Sequence, residues 1–294
     1  MNIAAHIAFY YVEHRLAYVE QILRNLSAIA HTIDVFVHTN RRLHLSSGSA
    51  HVSVHVIQHS LLKLPIPRSA YNVIPLPLRE HLDPHLMTWR PRRYILENLE
   101  KYDVQMYLED DIGFTNEAFE FWIRYKDICI SSGYNLGFLR TENDSKTSGW
   151  FCTDLVSAPK KVTYIDAQPF VINDEFPYCA FWMYDRTELK DFTQSEEWHL
   201  RAGQRDVRER AALGWHGLDM PRYKGTVIPL EHVDGDTYVV HRDCKVHHLP
   251  NNYIGHQMFC TVPFPIRGRI IANREAQNEA DIFLVDSRHD EHNS

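Results

Sequence analysis

The first forty residues constrain the fold more than any other stretch. Asn2 to Tyr11 is a nearly continuous apolar run, interrupted by His6 and ended by a polar cluster, the pattern of a strand buried on both faces. Leu16, Val19, Ile22, Leu23 and Leu26 recur at helical spacing up to about His31, with Arg and Glu on the other side. Ile33 to Thr39 then reads as a second short strand. Strand, helix and strand on short links make a βαβ unit, so parallel strands with a right-handed crossover are expected.

In residues 51–59, Val52, Val54 and Val56 alternate with His51, His55 and His59. The histidine spacing would suit a metal on a helix, but the β-branched alternation predicts a strand whose histidines face solvent. Leu64 to Pro84 is a long proline-rich loop, a kind that is usually functional in a compact domain. A helix is expected from Thr88 or Pro91 to about Asp103, with Ile95, Leu96 and Leu99 on its apolar side. Val104 to Leu108 is a short apolar strand that runs into Glu109, Asp110 and Asp111. Thr115 or Asn116 caps a further helix, with Phe119, Trp122 and Ile123 on one face, stopping before Gly133. Residues 1–135 are thus expected to form one open α/β sheet with acidic residues at its carboxyl edge, where such sheets bind ligands.

The second half has more turns, more aromatics and short strands at 179–184 and 238–240. No Gly/Ser linker separates the halves, so residues 1–272 are expected as a single domain in which segments 1–135 and 136–260 share a sheet. Residues 273–294 read as a polar tail apart from Ile282 to Val285. No internal repeat is visible.

The 294 residues carry 31 Lys and Arg against 38 Asp and Glu, a formal charge of −7. That balance argues against coating nucleic acid or an anionic membrane, and it means that a bound anion needs a local device such as a metal or placed arginines. The five cysteines are widely spaced with no CxxC pair, which suits free thiols in a reducing compartment. With no secretory pattern and no run of about 18 apolar residues, the reading is a cytoplasmic protein, compatible with contact at a membrane periphery.

Three successive carboxylates at the end of a buried strand repel one another. A hard cation, Mn²⁺ or Mg²⁺, would relieve the conflict while leaving positions for phosphate oxygens. Arg90, Arg92 and Arg93 crowd a helix start, where the dipole disfavours cations. That placement points to a compensating anion such as a diphosphate.

The segment Tyr107-Leu108-Glu109-Asp110-Asp111-Ile112 resembles the DxD motif of GT-A-fold, nucleotide-sugar-dependent glycosyltransferases. Phe181 to Leu189 is similar to the strand-to-helix segment that lines the acceptor side in that family. Arg205 to Arg210 occupies the place of the Glu-Asp motif of inverting members, with Arg205 where an acidic residue is usual. Cys244 to Pro250 resembles the late strand whose histidine completes the metal site. The resemblance covers about residues 1–260. It implies an α/β fold with a mainly parallel sheet flanked by helices, Asp111 as a metal ligand with His248 or His247, and Glu109 and Asp110 near ribose or sugar. It further implies Asp206 or Glu209 as general base, and Phe9, Tyr10, Thr39 and Asn40 near the base and ribose.

The function expected is metal-dependent glycosyl transfer from a nucleoside-diphosphate sugar to the hydroxyl of a glycan or glycolipid, such as lipopolysaccharide, with inversion. The alternatives are a metal-dependent hydrolase or phosphodiesterase and a non-catalytic carbohydrate-binding protein. Trp150, Trp182 and Trp215 read first as core and second as platforms for sugar rings. His241-Arg242-Asp243 matches a kinase catalytic loop without its partner motifs, and no GxxxxGK, GxGxxG, HExxH or GxSxG is present.

Overall fold

The chain opens with β1 (Asn2–Phe9), α1 (Leu16–Leu26) and β2 (Thr32–Thr39), and β1 runs parallel to β2. The structure, a computed structural model, describes residues 1–59, 83–200, 206–216, 222–272 and 281–285. Most of the proline-rich segment 64–84, Arg205 and most of the tail therefore lie outside the described residues. The elements that follow are β3 (Val52–Gln58), α2 (Asp83–Leu86), α3 (Pro91–Glu97), β4 (Val104–Glu109), β5 (Ile112–Gly113), α4 (Asn116–Ser131) and β6 (Asn135–Leu136). Then come β7 (Leu139–Asp144), β8 (Gly149–Cys152), β9 (Lys161–Ile165), β10 (Gln168–Ile172), β11 (Phe181–Asp185), α5 (Arg186–Gln194) and α6 (Val207–Leu213). The last are β12 (Thr226–Asp234), β13 (Thr237–Val240), β14 (Lys245–His248), β15 (Val262–Phe264), β16 (Arg267–Ile271) and β17 (Ile282–Val285).

These elements form two compact units, each built from two stretches of chain: Met1–Asn116 with Tyr178–Trp215, and Glu117–Pro177 with His216–Ser294. The first holds a mixed sheet in the order β11-β4-β1-β2-β3. β1 to β4 are parallel, and β11 joins β4 antiparallel. Both faces of this sheet are buried, but they differ in chemistry. One carries Ile3, Ala5, Ile7, Phe9, Val35, Val37, Met106 and Leu108. By register the other carries His6, Ala8, Phe36, His38, Gln105, Tyr107 and Glu109. α3 covers that polar face: Gln105 Nε2 donates to the Ile95 and Asn98 carbonyls at 3.3 and 3.2 Å.

The second unit overturns the expected fold class. β10-β9-β17-β16-β13-β12 is antiparallel throughout, and β12 pairs back onto β10, so six strands close into a barrel. The architecture is mostly β, with mixed sheets and a closed barrel, and it is not the mainly parallel GT-A-type sheet that the motif resemblance implied. The physical reason lies in the connections. β9 and β10 are joined at Asp166 and Ala167, both with positive φ, a tight turn that suits antiparallel neighbours. Parallel pairing would need crossovers of a dozen or more residues. Ile282 to Val285, placed by sequence within a polar tail, is a strand of this barrel and buries Phe283. Elsewhere in the unit β7 pairs antiparallel with β8 and parallel with β14. α4 buries Phe119 and Trp122, whereas Ile123 is exposed. No helix among the described residues is long and apolar enough to cross a membrane.

Gly268 on β16 faces Leu284 on the neighbouring strand, where an added Cβ would press into the Leu284 carbonyl oxygen and lie 3.0 Å from Phe283 Cζ. Gly268→Ala should therefore lower the stability of the barrel by about 1–3 kcal/mol. Urea unfolding checks this, and an unchanged midpoint would refute the close packing of β16 on β17.

Candidate active site

β4 delivers Glu109, Asp110 and Asp111 to the carboxyl edge of the parallel strands, and all three are buried, at 2, 7 and 2% exposure. Two arginines from distant parts of the first unit meet them. Arg15 Nε and Nη2 form a fork on Asp110 Oδ2 and Oδ1 at 2.7 and 2.5 Å, and Nη2 also reaches Asp111 Oδ2 at 2.7 Å. Arg208, in the first turn of α6, donates Nε to Glu109 Oε2 at 2.8 Å, with Nη2 on the same oxygen and 3.6 Å from Asp111. Tyr178 Oη donates to Glu109 Oε1 at 2.9 Å.

Among the described residues, three buried carboxylates lie against the guanidiniums of Arg15 and Arg208. Burial first, and then the Asp111 charge, push the Asp110 carboxyl up to about 7, and burial also raises Glu109. A proton on this cluster, or a divalent cation, would offset the repulsion among the carboxylates. The donors are hard oxygens, as Mn²⁺ or Mg²⁺ requires. Among the described residues, however, no group of three or more His, Cys, Asp or Glu is arranged to hold a metal. The donor set fits a cation held by one or two carboxylates and completed by a ligand's phosphates, and it does not fit an all-protein cage.

The cluster opens on a cavity of about 180 Å³ lined by Tyr10, Arg15, His85, Thr88, Glu109 and Arg208 among others. Of the residues expected near a donor, the structure brings Tyr10, Glu109 and Asp110 to this cavity. Phe9 is fully buried in the core. Thr39 is buried, and Asn40 accepts from the Tyr11 backbone N–H at 2.8 Å, tying the ends of β1 and β2 together. Asp206 caps α6, accepting from the Arg208 N–H at 2.9 Å, and the same oxygen lies 3.4 Å from His85 Nδ1. Glu209 sits in the first turn of α6, and of Asp206, Glu209 and His85 it is His85 that lines the cavity.

The arginine expectation is corrected at two positions. Arg92 does not face an anion: it is buried, donating to the carbonyls of Trp198 at 2.9 Å and Ala211 at 3.3 Å, among the rings of Trp89, Trp198 and Phe192. Carbonyl oxygens and π faces offset its charge, and burial pulls its pKa down to about 9. Arg93 is exposed and pairs with Glu97 one helical turn on. Arg90 is half-buried, and its charge acts on His59.

Asp111 belongs to the first unit, and His247 and His248 to the second. His248 Nδ1 bonds Glu142 Oε1 at 2.5 Å, and that carboxylate also accepts from the Tyr253 and Ile254 N–H groups at 2.8 and 3.0 Å. His247 Nε2 lies 3.0 Å from Asn251 Oδ1 and packs edge-on against Trp150. Trp182 and Trp215 are core residues, and Trp150 is half-buried beneath Lys245.

The polar face of the first sheet holds a chain of imidazoles. His6 Nε2 lies 3.2 Å from Gln105 Oε1, His6 Nδ1 3.1 Å from His38 Nε2, and His38 Nδ1 2.9 Å from His59 Nε2. Burial lowers all three pKa values, to about 3 for His6, well down for His38 and to about 4 for His59, the last helped by Arg90. His59 is thus not on a solvated face as expected. His216, in the second unit, is buried beside Asn135 and lowered to about 4.

These shifts fix the sign of the acid response. A histidine lowered in the folded state takes up a proton in the unfolded chain between about pH 6.5 and its folded value, so stability is lost as pH falls through that range. Each of His6, His38 and His216 contributes up to about 1.4 kcal/mol per pH unit. The raised carboxyls Asp110 and Glu109 act in the opposite direction, leaving a net loss of roughly 1–3 kcal/mol per unit between about pH 6 and 5. Urea unfolding at pH 7, 6 and 5 measures it, and flat or rising stability on acidification would contradict neutral buried imidazoles.

No protein-family model matches the chain and no curated protein matches it, and together with the closed barrel this overturns the sequence-level resemblance to GT-A-fold glycosyltransferases.

Proposed function

We propose that the protein is a metal-dependent glycosyltransferase that uses a nucleoside-diphosphate sugar and transfers the sugar to the hydroxyl of a glycan or glycolipid. One observation carries the reading: three buried carboxylates at the carboxyl edge of parallel strands, two of which, Glu109 and Asp110, line a cavity with Arg15 and Arg208 at its wall. Asp111 and Asp110 would hold Mn²⁺ or Mg²⁺, which would supply positive charge to the leaving diphosphate. Arg15 and Arg208 hold the carboxylates in place and keep the anionic wall from repelling the donor.

His85, on the cavity wall beside Asp206, takes the acceptor proton, and Asp206 orients it. This assignment moves the base from Asp206 and Glu209 to the histidine that lines the cavity. Glu109 is committed to Arg208 and Tyr178 and serves as a fixed acceptor for sugar hydroxyls.

Calorimetry with nucleoside-diphosphate sugars, with and without Mn²⁺, tests the reading. Donor binding should require the cation and be abolished by chelator. Asp111→Asn should weaken it by at least about a hundred-fold, the upper end of what losing an outer-shell partner costs a metal site. Cation-independent binding, or an unaffected variant, would refute the metal role. His85→Gln should lower kcat by about 100- to 10,000-fold with donor binding unchanged. Rapid donor hydrolysis that no acceptor suppresses would favour the hydrolase instead.

A further inference from the structure

The histidine chain ends at a ligand edge. Register places Tyr10, Asn40 and His59 one residue beyond the ends of β1, β2 and β3, because Phe9 pairs Thr39 and Thr39 pairs Gln58, and Glu109, which pairs Ala8, ends β4 at the same edge. Three strand spacings, about 14 Å, separate the acidic cluster from His59 along this edge. That span is the one an extended nucleoside diphosphate covers between phosphate and base. The cavity at the cluster, about 180 Å³, takes the reacting end of a donor and leaves the nucleoside to lie farther along the edge.

The hydrogen bonds determine which nitrogen of His59 is protonated. Gln105 gives both amide hydrogens to the Ile95 and Asn98 carbonyls, so its oxygen accepts from His6 Nε2–H. A neutral His6 then accepts at Nδ1 from His38 Nε2–H, and a neutral His38 accepts at Nδ1 from His59 Nε2–H. His59 is left with an unprotonated Nδ1, which makes no hydrogen bond among the described residues. The inner end of the chain is an amide, which neither takes nor gives a proton, so the array sets a tautomer and does not conduct protons.

We propose that His59 Nδ1 is a ligand-recognition atom, an obligate acceptor that takes the ring N–H of a uracil or guanine base in the bound donor. The inference rests on the nucleotide-donor reading above and adds the chemical class of base to it. Such an atom discriminates strongly, because a base without the hydrogen sets lone pair against lone pair.

Calorimetry in Mn²⁺ compares UDP with N3-methyl-UDP and GDP with N1-methyl-GDP on the full chain. Methylation of the preferred nucleotide should weaken binding by about ten-fold in the wild type, one hydrogen bond's worth, and should make no difference in His59→Phe. Nucleotides that bind with no methyl effect, or with an effect that persists in His59→Phe, overturn this inference and leave the donor reading standing. If no nucleoside diphosphate binds at all, the donor reading fails and the base assignment fails with it. Nitrogen-15 spectra of the free protein test the tautomer separately: a proton found on His59 Nδ1 overturns the proposal whatever binds.

Discussion

The paired burial of Glu109, Asp110 and Asp111 with Arg15 and Arg208 is the interaction on which the first unit depends. Each ion taken from water into this place costs several kcal/mol, and only close, multiply bonded partners offset that cost. The partners come from opposite ends of the unit. Arg15 precedes α1 and Arg208 opens α6, so the cluster ties the first βαβ element and a helix from the second stretch of chain to the end of β4.

Much of this edge was legible in the sequence, and the reason is local. A buried parallel strand is a short apolar run, so charges directly after Leu108 had to lie at its carboxyl end, and the βαβ pattern of the first forty residues fixed the direction of the neighbours. The partners were not legible. Arg15 and Arg208 stand 95 and 99 residues from the carboxylates they bind, and nothing in either local sequence distinguishes them from solvated arginines. Arg92 shows the converse error. Its position at a helix start points to an anion, but Trp198 and Ala211 carbonyls and the rings of Phe192 and Trp198, brought by other parts of the chain, surround it together with the neighbouring Trp89.

The barrel was missed for a similar reason. Its strands are only four to nine residues long, and short mixed segments carry little periodicity. The DxD-like resemblance then supplied a fold that the hairpin connections do not permit. A usable signal was present for the histidines. His6 and His38 both sit within otherwise apolar strands, and a polar group buried at such a position must find a partner on the same face of the sheet. Reading the two strands together with Gln105 on the third would have suggested the chain.

The sheet thus meets two different demands on one polar face. At β4 it buries charge, which requires ion pairs. Toward β3 it buries neutral imidazoles, which require only hydrogen bonds, and those bonds pass the orientation of one amide through three rings to the rim. Neither device would be worth its desolvation cost in isolation. Charge without partners would neutralise itself by taking a proton, and a histidine free to choose its tautomer would recognise donors and acceptors alike. Held in one rigid sheet, the two define a fixed distance and a fixed polarity along its edge. That combination, more than the acidic motif alone, is what would let the edge select one extended anionic ligand over another.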